Sequence, residues 1–265
     1  MTEAEWSSAT DSNTLLPWLA KNASARKFRL YLCGGCHAIR HLFFDSSSFN
    51  AVAVAERMAD GLAGEKEIKR ADWEAEAASF GYDFEEEFMR RDDEFFPRNA
   101  LAKQYVQETL ETLVRMGALS ESVLTGGKWQ VNEALRDQIV AAATLAYRCL
   151  YPDFTPDRYP NPDPCKWIIT HIAQVDWPGR WLVDCVFGNP LRPVEVDPAW
   201  LAWKHGTVPA IAQGIYDDRA FGQLPILADA LEEAGCSDPA MISHCRDETR
   251  HTRGCWVLDR LLGRE

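Results

Sequence analysis

The sequence predicts an all-α protein, a multi-helix bundle in two lobes joined by a proline-rich segment. Apolar residues recur at spacings of three and four through most of the chain, as they do along one face of a helix. Capping residues, glycines and prolines stand at the ends of many of these runs, where helices start and stop. No alternating apolar and polar run is long enough to predict a β-strand.

The predicted N-terminal lobe spans residues 1–150. Ser24 is a suitable cap for a helix with one apolar stripe, made of Phe28, Leu32, Cys36, Ile39 and Phe43. Further amphipathic helices are predicted over 101–117 and 135–149. Each buries one face, so we expect them to pack together in one lobe.

The predicted connector is residues 151–164, YPDFTPDRYPNPDP, because prolines at this density cannot continue a helix. The C-terminal lobe is then residues 165–265. Within it, Asp238 followed by Pro239 predicts the start of a helix, as N-cap and first-turn proline. A final helix is predicted from about residue 249 to residue 262.

The charge of the chain is strongly negative, with 28 Lys and Arg against 40 Asp and Glu, a net charge of −12. This balance disfavours nucleic-acid binding, which needs a basic surface. Residues 65–97 alone carry twelve acidic and five basic residues. One interpretation is a solvated helix and loop with aromatic anchors. The other is an acidic surface for a basic protein partner, centred on Glu85, Glu86, Glu87, Asp92, Asp93 and Glu94.

Targeting signals are not found in the sequence. The first residues, MTEAEWSSATDSN, are acidic and polar, unlike a secretory signal, and no apolar run is long enough for a membrane helix. We therefore expect a cytoplasmic protein with no membrane association. Its eight cysteines are then expected to be reduced thiols.

A first candidate cluster lies in the sequence CGGCHAIRH and consists of Cys33, Cys36, His37 and His41. A CxxC pair followed by histidines is typical of zinc or redox sites. A thioredoxin-type site would place CxxC at the start of a helix, whereas here it falls in the middle of a predicted one. Structural packing, metal binding and redox chemistry all stay open. The two glycines between the cysteines predict either a close approach of a neighbouring helix or a local break.

A second candidate cluster lies near the C-terminus and consists of Cys236, His244, Cys245, His251 and Cys255. Thiol and imidazole are the ligands that zinc prefers. His251 and Cys255 are four residues apart, which would place them on one face of the predicted final helix. The alternative is that these residues are packed in the core.

Function is less well determined by sequence than fold. Gly-x-Ser-x-Gly, P-loop, HExxH and GxGxxG patterns are absent, so the sequence favours a non-enzymatic interaction or regulatory module using the acidic surface. The alternative is a metal-binding protein, or a metal-dependent hydrolase, that uses the C-terminal cluster with zinc.

Two stretches, one at each end of the chain, show a family resemblance. They include RKFRLYLCGGCHAIRHLF, FGNPLRPVEVDPAWL and HCRDETRHTRGCWVLDRLLG. Together the similar parts span roughly residues 1–63 and 180–265, and they resemble an uncharacterised family of paralogous proteins in planctomycete bacteria. The resemblance implies a bacterial, cytoplasmic protein and no particular reaction. The acidic middle of the chain does not match the family pattern.

Overall fold

The computed structural model describes residues 1–43, 46–79, 133–151, 164–247 and 250–264. These residues are all-α, as predicted, and they contain no β-strand. Their α-helices, numbered in chain order, are α1 (Glu3–Ser8), α2 (Ser12–Asn22), α3 (Ala25–Ala38), α4 (Ser46–Ala59), α5 (Glu65–Ser79), α6 (Glu133–Leu150), α7 (Pro164–Ile172), α8 (Arg180–Phe187), α9 (Pro198–Ala202), α10 (Thr207–Asp218), α11 (Leu224–Glu233), α12 (Pro239–Arg246) and α13 (Trp256–Leu262). Short 3₁₀-helices occupy Arg40–Leu42, Trp203–His205 and Phe221–Gln223.

The chain divides into two compact units. The terminal unit combines Met1–Gly34 with Pro178–Glu265, and the middle unit is Gly35–Trp177. This division differs from the predicted lobes, 1–150 and 165–265. The first helices of the chain pack with the last ones, and contacts between segments so far apart in sequence produce no local pattern that could have predicted them.

Several predicted features lie outside the described residues. They are the helix over 101–117, the acidic segment beyond residue 79 and the connector between residues 152 and 163. Of the connector, Pro164 is described as the first residue of α7. Among the described helices, none is both long and apolar enough to cross a membrane.

The terminal unit has a hydrophobic core made by α10, α11, α12 and α13. Helix α3 is tied to the last helix, α13, by a buried ion cluster. The Asp259 carboxylate of α13 is fully buried and lies 2.8 Å from the Arg26 guanidinium and 2.6 Å from the Lys27 ammonium of α3. A buried charge needs such partners, because unpaired it loses its hydration without compensation.

The start of α12 is confirmed where the sequence predicts it. Pro239 is its first residue, where a missing N–H costs nothing. The Asp238 carboxylate accepts a hydrogen bond from the backbone N–H of Met241 at 2.9 Å. The cap fixes the start of α12, the helix that carries His244 in its last turn.

In the described part of the middle unit, α4, α5 and α6 pack against one another, and α7 packs on α6. Helix α6 confirms the amphipathic helix predicted over 135–149. Residues 141–150 of this helix are buried on all sides. Small side chains there allow close approach of neighbouring helices; they include Ala141, Ala142, Ala143 and Ala146.

The two glycines of the CGGC sequence lie inside α3, which continues through both of them without a break. In the middle unit, a Cβ atom added to Gly35 would lie 1.9 Å from the Trp177 ring. In the terminal unit, a Cβ added to Gly34 would lie 2.9 Å from a methyl group of Leu182. Close approach of neighbouring side chains, rather than a local break, therefore accounts for the two glycines.

We expect Gly35→Ala to lower the free energy of unfolding by about 1–3 kcal/mol, because Trp177 must move away from the new methyl group. Alanine otherwise favours a helix by about 1 kcal/mol over glycine. Urea unfolding followed by circular dichroism measures the change. Gly214→Ala in α10 is the matched control, because no atom lies within 4 Å of its added Cβ. The control should be stabilised, and equal stabilisation of Gly35→Ala would contradict this packing.

Candidate metal centre

Four side chains of the terminal unit converge on one point. They are Cys185, His244, His251 and Cys255, and their potential ligand atoms all lie within 4.8 Å of one another. The His244 Nε2 atom is 3.2 Å from the Cys255 Sγ atom, and the His251 Nδ1 atom is 3.8 Å from the Cys185 Sγ atom. Within the described parts of the chain, this is the one group of three or more Cys, His, Asp or Glu side chains so arranged.

Each of the four residues is placed by a different piece of local structure. Cys185 lies on α8, and His244 lies in the last turn of α12. Cys255 directly precedes α13 as its N-cap residue, and its backbone N–H donates to the Thr252 carbonyl at 3.1 Å. His251 lies in the turn between α12 and α13. Two helix ends and one turn are thus brought against the side of a third helix.

The prediction that His251 and Cys255 lie on the final helix is wrong, because α13 begins only at Trp256. Gly254 has a φ of 84°, in the left-handed region, and this conformation interrupts a right-handed helix. A Cβ added there would lie 2.8 Å from the Cβ atom of Leu30. The turn nevertheless brings the His251 ring and the Cys255 thiol into the same group.

The orientation of the His251 ring is set by a second hydrogen bond. Its Nε2 atom lies 2.9 Å from the backbone carbonyl of Asp247. A carbonyl oxygen only accepts, so Nε2 carries the hydrogen and Nδ1 is the nitrogen that faces the sulfur atoms. Metal-binding histidines usually donate the N–H of the ring nitrogen that does not bind the metal to a backbone carbonyl or a carboxylate.

The electrostatics of the group favour ionisation of one thiol. Burial opposes ionisation of Cys255, but hydrogen bonding to Cys185 and the nearby His244 ring outweigh it, so the pKa of Cys255 lies well below its ordinary value. The hydrogen bond with Cys255, together with burial, raises the pKa of Cys185. Burial also works against protonation of His251, yet hydrogen bonds to Cys255 and Asp247 outweigh it and raise the pKa of His251. The thiolate is the form that binds a metal ion.

The geometry suits tetrahedral coordination. Zinc bonds to sulfur are about 2.3 Å and to nitrogen about 2.0–2.1 Å, so ligand atoms at the corners of such a tetrahedron lie roughly 3.3–3.8 Å apart. The separations of 3.2 Å and 3.8 Å are close to this range, and the group as a whole spans up to 4.8 Å, so a small inward movement of the side chains would bring all four atoms onto one ion. Both cysteines are buried and both histidines are half-buried. These four residues can therefore hold one metal ion largely shielded from water.

The predicted C-terminal cluster is only partly brought together. His244, His251 and Cys255 belong to the group, whereas Cys236 and Cys245 lie in the surrounding hydrophobic core. Burial raises the pKa of both of these core thiols, which keeps them neutral. The fourth member, Cys185, was missed because its sequence context is an apolar helix stripe. No sequence signal pointed to it, because the five candidates near the C-terminus already offered enough ligands for one ion.

The first candidate cluster is not assembled in the described part of the chain. In the middle unit, the Cys36 sulfur lies 3.6 Å from that of Cys149, and the His37 ring contacts the buried Glu56 carboxylate at 2.9 Å. His41 lies in the first 3₁₀-helix, where burial lowers its pKa. Cys33 is buried in the terminal unit. Successive residues of one helix point in different directions, so these side chains meet different neighbours.

The predicted acidic surface cannot be placed, because all of its residues lie outside the described ranges; they are Glu85, Glu86, Glu87, Asp92, Asp93 and Glu94. The interaction with a basic protein partner stays a prediction. In the terminal unit, Cys185, Cys236, Cys245 and Cys255 are free thiols.

Comparison of the chain with protein-family models, curated proteins and solved structures found no match. Function is therefore inferred from the geometry and chemistry of the four-residue group.

Proposed function

We propose that this protein binds one zinc ion through Cys185, His244, His251 and Cys255, and that the ion stabilises the terminal unit. The observation that carries the proposal is the convergence of four ligand atoms within 4.8 Å from three separate helices and a turn. Two sulfur and two nitrogen atoms that meet at one point from separate parts of the chain are the ligand set of a structural zinc site.

Zinc is the metal that this donor set fits best. Two thiolates and two imidazoles in a tetrahedral arrangement are typical of zinc, while hard cations such as magnesium and calcium prefer oxygen ligands. The hydrogen bond from His251 to the Asp247 carbonyl supplies the expected outer contact. These features support zinc over an oxygen-binding cation.

A structural role is favoured over hydrolysis. Catalytic zinc keeps an open position for water or substrate, with three protein ligands, whereas structural zinc has four. Here four protein side chains are available as ligands, and the two cysteines are buried. Cys185 and His244 are far apart in the sequence. An ion bound by both would therefore cross-link distant parts of the terminal unit.

Elemental analysis of purified protein tests the proposal. We expect one equivalent of zinc per chain, and we expect a strong chelator to lower the midpoint of thermal unfolding, because binding free energy at a structural site contributes to folding. Adding zinc back should restore the midpoint. A content below about 0.1 equivalents after reconstitution, with stability unaffected by the chelator, would refute a structural zinc site.

A further inference from the structure

Lys27 makes contacts that join the two cysteine-bearing segments of the candidate zinc site. Its ammonium nitrogen lies 3.0 Å from the backbone carbonyl oxygen of Val186 and 2.9 Å from that of Gly254. Val186 directly follows Cys185, and Gly254 directly precedes Cys255. One side chain therefore donates to the backbone next to both sulfur ligands, although α3 contributes no ligand itself.

The Lys27 side chain is held in place by an ion pair. Its ammonium lies 2.6 Å from the fully buried Asp259 carboxylate, and only 12% of the lysine side chain is exposed. An ammonium group has three N–H donors, and Lys27 has three acceptors for them: two carbonyl oxygens and one carboxylate oxygen. All three N–H donors of Lys27 therefore have acceptors within this part of the terminal unit.

Close packing joins α3 to the same segments. A Cβ atom added to Gly254 would meet Leu30, and one added to Gly34 would meet Leu182 and Thr252. Leu182 lies one turn before Cys185 on α8, and Thr252 lies between His251 and Cys255. The position of α3 thus determines where both cysteine-bearing segments lie.

We propose that Lys27 is a positioning residue for the zinc site, so that docking of α3 and zinc binding are energetically coupled. This inference rests on the proposed function. It means that residues 178–265, although they contain all four ligands, bind zinc at full affinity only when the N-terminal part of the terminal unit is in place. Coupling of this kind is reciprocal: zinc in turn stabilises the docked α3.

Zinc affinity of full-length Lys27→Met, measured by competition with a chromophoric chelator, tests the inference. We expect the dissociation constant to rise about 10–100-fold, the usual effect of removing an outer-shell partner of a metal site. A residue that supports only the fold would lower the stability of zinc-free and zinc-loaded protein equally, and the dissociation constant would not change. Cobalt substitution gives a second readout, since displaced thiolates alter the cobalt absorption spectrum.

Two further variants complete the experiment. Lys21→Met, which removes an exposed lysine of α2, is the matched control and should bind zinc as wild type does. Lys27→Arg keeps the charge but replaces a compact ammonium with a planar guanidinium, so we expect about tenfold weaker binding. This variant decides the question if Lys27→Met does not fold.

The possible outcomes separate the two proposals. Wild-type dissociation constants for both Lys27 variants would overturn the positioning role and leave the zinc site standing. Wild-type protein that binds no zinc would overturn the proposed function and this inference with it. Weakened binding in the Lys27 variants, with an unchanged Lys21→Met control, supports both.

Discussion

Replacing Cys255 by serine is expected to abolish the stabilisation of this protein by zinc. Cys255 is the thiol of the group with the lowered pKa, and its sulfur lies 3.2 Å from the His244 ring. A serine hydroxyl is not ionised at neutral pH and is a poor zinc ligand, so the variant keeps three of the four ligands. We expect it to unfold with the same midpoint in zinc and in chelator.

The size of the effect follows from mass action. A ligand that binds only the folded state at a free concentration of 1,000 times its dissociation constant stabilises that state by about 4 kcal/mol. Wild-type protein should gain this amount between chelator and zinc-buffered solution, whereas Cys255→Ser should gain almost none of it. Urea unfolding in the two solutions measures both gains.

Cys245→Ser is the matched control for this experiment. Cys245 is as completely buried as Cys255 and lies in the same core, yet it is not one of the four converging residues. A buried hydroxyl in its place costs about 1–3 kcal/mol with or without zinc, so the gain on adding zinc should be preserved. The zinc site would be excluded if Cys255→Ser retained the wild-type gain.

Replacing Asp259 by alanine is expected to lower the free energy of unfolding by about 3–5 kcal/mol, because two cations would lose their buried counter-ion. Arg26 meets both oxygens of this carboxylate, at 2.8 and 3.1 Å, and also the Tyr216 hydroxyl at 3.0 Å. Lys27 lies 2.6 Å from the same group. Urea unfolding at saturating zinc measures the loss.

Asp229→Ala tests whether burial is the cause. Asp229 pairs with Arg246 at 3.1 Å, but 69% of its side chain is exposed. Exposed ion pairs contribute at most about 1 kcal/mol, because water screens them and already solvates both charges. Equal losses in the two variants would show that Asp259 does not act as a buried counter-ion. A larger loss in Asp259→Ala supports its role in joining α3 to α13.

The helical class of the described residues was predictable from sequence because a helix depends on residues that are close together in the sequence. Apolar spacing of three and four marks helices such as α6, and Asp238 with Pro239 marks the start of α12. The predicted close approach at the CGGC glycines is also found. The first two features depend on residues within a few positions of one another, whereas the side chains that meet the two glycines, such as Trp177 and Leu182, lie far along the chain.

The candidate site was only partly predictable for the same reason. His244, His251 and Cys255 lie within twelve residues, so their ligand chemistry stands out in the sequence. Cys185 is 59 positions before His244, inside an apolar stripe, and nothing local separates it from a core cysteine. Helical periodicity indicates which residues are buried, but it does not indicate which other residues they meet.

The sequence by itself determined that this protein is built from amphipathic helices and that its C-terminal region is rich in thiol and imidazole groups. Only the tertiary structure decided that Cys185 joins the group while Cys245 does not, and that Lys27 contacts the backbone beside both sulfur ligands. The physical reason is that secondary structure depends on neighbours along the chain. A metal site depends on distances in space, which are set by how the helices pack.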